Sequence, residues 1–512
     1  MDKQHEIEAL KCADCAASES AVTDLLPSAS LPIPAEALTG WPDGSPEERG
    51  FSRRSLLKNG VAGLASIYAA TRLDWGSVWE EVSAQAAEPM QRSLVCIFLN
   101  GGEDSLNHIV PIGPHYDAYK ASRPTIWRDG QSGANPADVP SSAGRVGTKV
   151  MPGTGGTLAF PNIVCAGAGT GFTGVDGQGL DVLYGDGGGG AGSDLAVFPG
   201  TSYDNATRSH FDGRDIWFRG TKQMTQTGWL GRWLDLYGSQ SNPLQAVSVD
   251  SSLSKQIRSN TAPVSALANL QGVNFSVPVD NTSIDVTQNI KSLSGVPTGQ
   301  GNDALARSRG MFGLTVDVSD RLRALSSTAA GAGYPNSDLS RKLQLAAILL
   351  GSGLGTRIVT IDWGSFDTHG GQIGSQDPQL TTLARALTAF KADLGARGIE
   401  QQVVTMVFSE FGRQVFENDS QGTDHGEGGA VLVSGSAVKG GYAGEFPGIP
   451  DKTQRDALSY KTDFRTIYSA IVGEWLGGDP QAILPDAGKG IFGGIQRYDG
   501  GSGLFVPGTL VK

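Results

Sequence analysis

Cysteine is scarce in this chain: four residues in 512, at Cys12, Cys15, Cys96 and Cys165. That excludes a disulfide-stapled scaffold. Cys12-x-x-Cys15 is half of a metal or redox motif, with no second pair to complete it. Cys96 falls inside an apolar run and reads as a small buried hydrophobe. Positive charge is also in short supply. Lys and Arg number 40 against 52 Asp and Glu, for a net charge of −12, which argues against nucleic acid as a partner because phosphate neutralisation needs clustered cations. An acidic surface instead keeps an exported protein soluble. No run of ~18 apolar residues follows the N-terminal region, so no transmembrane anchor is expected in the mature protein. Internal repeats are absent. Histidine occurs only six times, so each one can be followed individually.

Glycine is abundant, at 72 residues, about twice the usual share, which predicts many loops and tight turns. Hydrophobic residues make up 39% and charged residues 18%, enough apolar material for a packed core. Near the N-terminus, "RGFSRRSLLKNGVAGLASIYAATRL" places Arg53-Arg54 after Ser52 and before Leu56, Leu57 and Lys58. This resembles the twin-arginine export signal. A modest apolar segment follows, Gly60 to Ala70, and "SAQAAEP" offers a small-x-small cleavage site at Ala84 and Ala86. The expected organisation is a disordered polar leader over 1–50, a twin-arginine signal peptide over 51–87 and a single domain over 93–505. The expected partner is the twin-arginine translocase, and the expected location is periplasmic, cell-surface or secreted.

Strands and helices alternate along the mature chain. "RSLVCIFLNGG" and "QQVVTMVFSEFGR" are continuous apolar runs ending in polar residues, the pattern of strands buried on both faces. "PLQAVSVD", "TRIVTIDWG" and "AVLVSG" read as further strands. "RSHFDGRDIWFRG", "GWLGRWLDLYG", Ala304 to Leu325, Leu339 to Leu350 and "DFRTIYSAIVGEWLGG" read as helices, the last capped by Asp463. "DPQLTTLARALTAFKADLGARG" is predicted as a helix with Asp377 as N-cap and Pro378 in its first turn. Its stripe of Leu380, Leu383, Leu387, Phe390 and Leu394 is a core face. Residues 130–192 read as a Gly-rich irregular insertion, and Gly272 to Gly301 as a long polar loop. The alternation predicts a doubly wound α/β fold with a largely parallel sheet. Such sheets place their sites just past strand C-terminal ends.

Four strand ends carry acids or histidines: Glu103-Asp104-Ser105-Leu106-Asn107-His108, Asp367-Thr368-His369, Glu410-Phe411-Gly412-Arg413 and Asp424-His425. Of the six histidines, His108, His210, His369 and His425 fall in or beside these elements. His5 lies in the leader and His115 in a loop. Mixed carboxylate oxygens and imidazole nitrogens suit zinc, manganese or iron, while all-oxygen sites suit magnesium or calcium. In "SYDNATRSHFDGRDIW", Thr207, Ser209 and His210 open a helix, where backbone N–H groups and the dipole favour an anion. Thr207 or Ser209 is either a metal-activated nucleophile or a helix cap.

The ordered segments "FLNGGEDSLNHIVP", "RSHFDGRDIW", "TGWLGRWLD", "FDTHGGQ", "FSEFGR" and "DHGEGGAVLVSGSAVKGG" resemble a bacterial family of exported proteins. That family is the domain of unknown function numbered fifteen-oh-one, which is sulfatase-like and similar to the alkaline phosphatase superfamily. The resemblance implies an α/β/α sandwich with Gly-rich loop insertions and one or two divalent metals, zinc, manganese or calcium. It implies Asp104, Asp367, His369, Glu410, Asp424 and His425 as metal residues, with Asn107, His108 and His210 lining the site. Phe411 stands where relatives have a ligand imidazole, and Asp424-His425 either supplies the missing one or matches the family's final ligand histidine. No Cys-x-Pro-x-Arg or Ser-x-Pro-x-Arg element is present, which argues against the formylglycine type of sulfatase. The expected function is an exported metal-dependent hydrolase of small anionic phosphate or sulfate esters. Ser209, Thr207 or a water would be the nucleophile, and Arg413 and Arg208 would hold oxygens of the ester. The alternative is a non-catalytic binding or structural protein with a degenerate site.

Overall fold

The computed structural model describes residues 64–68, 92–129, 147–166, 177–185, 193–240, 242–270, 276–279, 282–285, 287–294, 316, 318–320, 322–325, 327–449, 457–499 and 504–512. All of them fall in one compact unit, Gly60–Lys512. The polar leader, Arg53, Arg54, the cleavage site at Ala84 and Ala86, Cys12, Cys15 and His5 lie outside the described residues.

The centre is a ten-stranded mixed sheet. In chain order its strands are β1 (Leu64–Tyr68), β2 (Ser93–Leu99), β3 (Leu195–Ser202), β4 (Ala246–Ser248), β5 (Val264–Leu267), β6 (Ile358–Trp363), β7 (Val403–Ser409), β8 (Gly429–Ser434), β9 (Gly441–Tyr442) and β10 (Thr462–Asp463). Their spatial order is β1-β5-β4-β6-β2-β7-β8-β3-β9, with β10 also on β3. The run β5-β4-β6-β2-β7 is parallel throughout. β8 is antiparallel to both its neighbours. β1 pairs antiparallel with β5 at the edge, so part of the segment read as a softened apolar stretch is a strand.

β2 alternates its side chains between two cores. Val95, Ile97 and Leu99 join one hydrophobic cluster with helices α4 (Asp338–Gly351) and α5 (Gln372–Ala396). Leu94, Cys96 and Phe98 join the other, with α2 (His210–Arg219), α3 (Trp229–Tyr237) and α6 (Phe464–Ala470). Helices thus cover both faces, which is why β2 and β7 are buried at every position. Cys96 is buried and free, as expected, and so is Cys165. No helix among the described residues is long and apolar enough to cross a membrane.

Two local expectations change. The helix predicted to begin at Asp377-Pro378 starts at Gln372, with Pro378 inside it. Gln372 bonds Asp104 and Thr423, and Asp377 pairs with buried Arg128 instead of capping. Tertiary hydrogen bonds have extended the helix past its local start signal. The stripe from Leu380 to Leu394 is buried as read. Within the segment read as a polar loop, Ser276–Val279 and Thr282–Asp285 pair as an antiparallel hairpin, followed by a helix at Thr287–Ser294.

Candidate active site

The parallel register sets β6, β2 and β7 side by side with their C-terminal ends level: Trp363 opposite Leu99, and Leu99 opposite Ser409. The loops that leave these ends meet. Gly101 and Gly102 turn the chain after β2 with positive φ, and a Cβ on either would collide with the Asp367 backbone or the Phe411 ring. Only glycine allows that approach. Arg413, with its side chain fully buried, then ties the loops together. It donates from Nε to the Gly102 carbonyl (2.7 Å), from Nη1 to the Thr423 carbonyl (2.5 Å) and from Nη2 to the Gly101 carbonyl (2.6 Å) and Asp367 Oδ1 (2.5 Å). With four of its five N–H donors engaged and its side chain fully buried, this arginine is committed to the protein rather than to a substrate. Its expected role in holding ester oxygens is therefore replaced by one of positioning Asp367.

Around the Asp367 carboxylate stand three imidazoles from three different elements. His369 Nε2 lies 3.0 Å and His425 Nε2 3.1 Å from Oδ1, and His210 Nε2 lies 3.5 Å from Oδ2. The Nε2 atoms of His369 and His425 are 2.9 Å apart. The opposite ring nitrogen of each histidine is engaged elsewhere. His210 Nδ1 lies 2.7 Å from Glu410 Oε1, His369 Nδ1 lies 2.9 Å from Asp424 Oδ1, and His425 Nδ1 lies 2.9 Å from the Arg208 carbonyl. Acceptors at all three Nδ1 positions favour a proton there, so each imidazole turns an Nε2 lone pair inward when neutral and an Nε2–H toward Asp367 when protonated.

Lone pairs facing each other at such distances repel unless positive charge lies between them. The protonation energetics carry the same sign. Burial disfavours the His210 cation, but hydrogen bonds and charge from Asp367 and Glu410 outweigh it and raise the pKa to about 9. The bond to Asp367 raises that of His369, against burial. Burial alone would raise the Asp367 pKa. Hydrogen bonds from the three histidines and Arg413 instead hold its carboxyl well below the usual carboxylate range. Asp424 is also held low: burial opposes this, and the His369 bond prevails. One ligand atom each from His210, Asp367 and His425 lies within 4.8 Å of the others. For comparison, a tetrahedral shell around zinc has edges of roughly 3.3 Å.

The predicted site residues divide. Asp367, His369 and His425 come together. His210, expected only to line the site, joins them as a direct member from the first turn of α2. Glu410 and Asp424 do not point into the centre and instead hold His210 and His369 by their far nitrogens. Glu410 is further fixed by Gly101 N and Ser409 Oγ. Asp104 is absent from the cluster. Its carboxylate is spent on a bidentate pair with Arg123 (2.5 and 2.9 Å) and on Gln372 (2.5 Å), all fully buried. Asn107 bonds Tyr119 and the Ile126 carbonyl, and His108 faces Glu103 inside the protein, so neither lines the centre. Ser209 Oγ accepts from Asp212 N and so caps α2, while Thr207 Oγ1 accepts from Ser209 N in the turn that leads into the helix. Phe411 packs against the His210 and His425 rings, at 5.0 and 4.9 Å between centroids. It is a wall of the site in the place where an imidazole was expected.

Sequence reasoning undervalued His210. Its signal was present: it is a rare histidine directly after a serine N-cap, following a strand end.

A family model described as "Protein of unknown function (DUF1501)" matches residues 201–472, a span that holds every member of the cluster. No curated protein matches. Among solved structures, the chain is similar to one described as "Structure of PH0037 protein from Pyrococcus horikoshii". The identity is 10% and the TM-score 0.23, covering 68% of this chain and 86% of that one. A likeness that low carries no argument about the site.

Proposed function

The chain belongs to the DUF1501 family, whose description assigns no activity, and from the site itself we propose a metal-dependent hydrolase of phosphate or sulfate esters, its metal held by His210, Asp367, His369 and His425. One observation carries this reading: three histidines present Nε2 to one carboxylate while an acceptor holds each Nδ1. That is the outer-sphere pattern of metal-ligating histidine. Three imidazoles and one carboxylate suit zinc, manganese or iron and disfavour calcium, which takes oxygen ligands.

A metal bound there would polarise an ester oxygen and lower the pKa of a coordinated water. The protein's own groups do the rest. Glu410, Asp424 and the Arg208 carbonyl fix the imidazole orientations, Arg413 keeps Asp367 ionised and aimed, and Phe411 keeps water from two of the rings. With the Ser209 hydroxyl capping α2 and the Thr207 hydroxyl engaged by Ser209 N, a water is the favoured nucleophile. The finer fold assignment, an alkaline-phosphatase-like α/β/α sandwich, belongs to this proposal. It is supported by helices on both sheet faces and by a site at parallel strand C-terminal ends. Export through the twin-arginine pathway belongs to it too, supported by the Arg53-Arg54 motif.

One observation favours a second reading. Four protein ligands close a tetrahedron, as in structural zinc sites, whereas catalytic zinc usually keeps three. Elemental analysis of the purified protein, paired with a panel of phosphate and sulfate monoesters, separates the readings. Stoichiometric metal with turnover lost in Asp367→Asn and His210→Ala supports the hydrolase. Metal without turnover on any ester supports the closed, non-catalytic site. A protein that takes up no zinc, manganese or iron overturns both.

A further inference from the structure

Beside the histidine cluster lies a second feature that the hydrolase chemistry does not use. A cleft of about 160 Å³ opens at the C-terminal ends of β4 and β6, between them and α2. That is smaller than the usual site for a drug-sized ligand and limits the occupant to a single small polar unit. Arg214, Ser248, Asp250, Lys255, Thr360 and Asp362 line it. Arg214 and Asp362 link it to the cluster. Arg214 is one turn beyond His210 on α2, roughly 6 Å along the same face, and Asp362 precedes Asp367 in the strand-to-loop segment that carries the carboxylate ligand.

The lining is polar, and its charge balances. Asp362 Oδ1 is buried with no hydrogen-bond partner. Arg214 acts on Asp362 through charge alone, with no hydrogen bond between them. Asp250 is engaged by Lys342 at 3.3 Å, and Lys255 by Asp215 at 2.7 Å. Ser248 and Thr360 share a hydroxyl–hydroxyl contact of 3.0 Å. Two carboxylates disfavour an anion here, and Arg214 with Lys255 disfavours a metal cation. Unused acceptors and donors side by side instead suit a neutral group rich in hydroxyls, whose O–H groups donate to Asp362 and accept from Arg214. Three residues before Arg214 on α2, Phe211 is 46% exposed, and its ring centroid is 6.0 Å from the Arg214 guanidinium carbon. An exposed aromatic face suits the C–H face of a sugar ring.

We infer that the cleft lined by Arg214 and Asp362, with Phe211 beside Arg214, is a saccharide-binding subsite. Resting on the hydrolase reading, it receives the polyhydroxylated alcohol part of the ester whose phosphate or sulfate group faces the histidine cluster. The substrate class is then a sugar phosphate or sugar sulfate rather than a lipid or nucleotide ester.

The test is binding, read separately from turnover. Glucose, galactose, mannose, N-acetylglucosamine and myo-inositol are each offered to the folded full chain, and contact is read by saturation-transfer NMR and titration calorimetry. At least one is expected to bind. Asp362→Asn and Arg214→Met should each weaken it about tenfold or more, the loss of a charge-assisted hydrogen bond, with thermal unfolding confirming that both variants fold. Asp367→Asn, which disables the cluster, should leave sugar binding unchanged. If none of the five binds, or if both cleft variants bind as the parent does, the subsite is refuted. Binding of inorganic phosphate or calcium that depends on Asp362 refutes it equally. Sugar binding with no ester hydrolysed leaves the subsite standing and the hydrolase reading refuted. Ester hydrolysis without sugar binding does the reverse.

Discussion

Asp104 and Asp367 occupy equivalent places, each in the loop after a buried parallel strand, β2 and β6, and yet they have opposite fates. Asp104 is 1% exposed and its oxygens are filled by Arg123 and Gln372. Asp367 is 26% exposed and faces three imidazoles. A carboxylate that meets a buried guanidinium bidentately and also accepts from Gln372 and the Leu106 N–H has its acceptor sites filled, whereas one ringed by imidazoles that turn Nε2 toward it becomes a place where positive charge collects. Position after a strand is common to both. The counter-charge decides which is scaffold and which is site.

The sharpest way to break this division is Asp104→Ala. Removing one partner of a buried ion pair leaves Arg123 uncompensated, at a cost of about 3–5 kcal/mol. Denaturant unfolding should show that loss, while the protein that remains folded keeps its metal content. Loss of metal with stability intact would move Asp104 back into the site. Next come the residues behind the histidines. Glu410→Gln and Asp424→Asn should each reduce metal affinity about 10–100-fold without emptying the site, as measured by competition with a chelator. Loss of metal outright would make them direct ligands after all.

Proton linkage gives a third test. The His210 pKa in the folded, metal-free protein is raised from 6.5 to about 9. Its contribution to stability is therefore fully present below pH 6.5 and is lost as pH rises through about 9. The metal-loaded protein should show the opposite trend in occupancy, because ligation needs neutral imidazoles and acid displaces the ion. Unfolding midpoints with and without chelator across this range check both signs. The smallest expected effect belongs to Ser209→Ala. Loss of an N-cap costs about 1 kcal/mol, and ester turnover should be unchanged when measured well below the melting temperature. Abolished turnover would restore Ser209 as the nucleophile.

Much of the fold was legible in the chain. Continuous apolar runs at Leu94 to Leu99 and Val403 to Phe408 announced strands buried on both faces, and "FDTHGG" and "TDHG" marked strand-end loops worth following. Where reading failed, a long-range contact had overridden a local signal. Gln372 pulled a helix start upstream past Asp377-Pro378. Arg123, nineteen residues beyond Asp104 and unremarkable in sequence, took that carboxylate out of the site. His210 looked like a neighbour because a helix start usually needs only a cap, and nothing local shows that its ring turns toward a loop more than 150 residues away.

The sequence by itself determined the alternation of strands and helices, the acidic and cysteine-poor character, and the set of strand-end residues from which a site could be drawn. Those follow from periodicity and composition, which are local. Tertiary structure alone decided which of those residues meet. Sheet order puts β6, β2 and β7 side by side, and the Arg413 bonds draw their loops together. Only then do three Nε2 atoms face Asp367 while Asp104 turns inward to Arg123. Metal chemistry and ion pairing depend on separations of a few ångströms between residues hundreds of positions apart, and no window along the chain contains that distance.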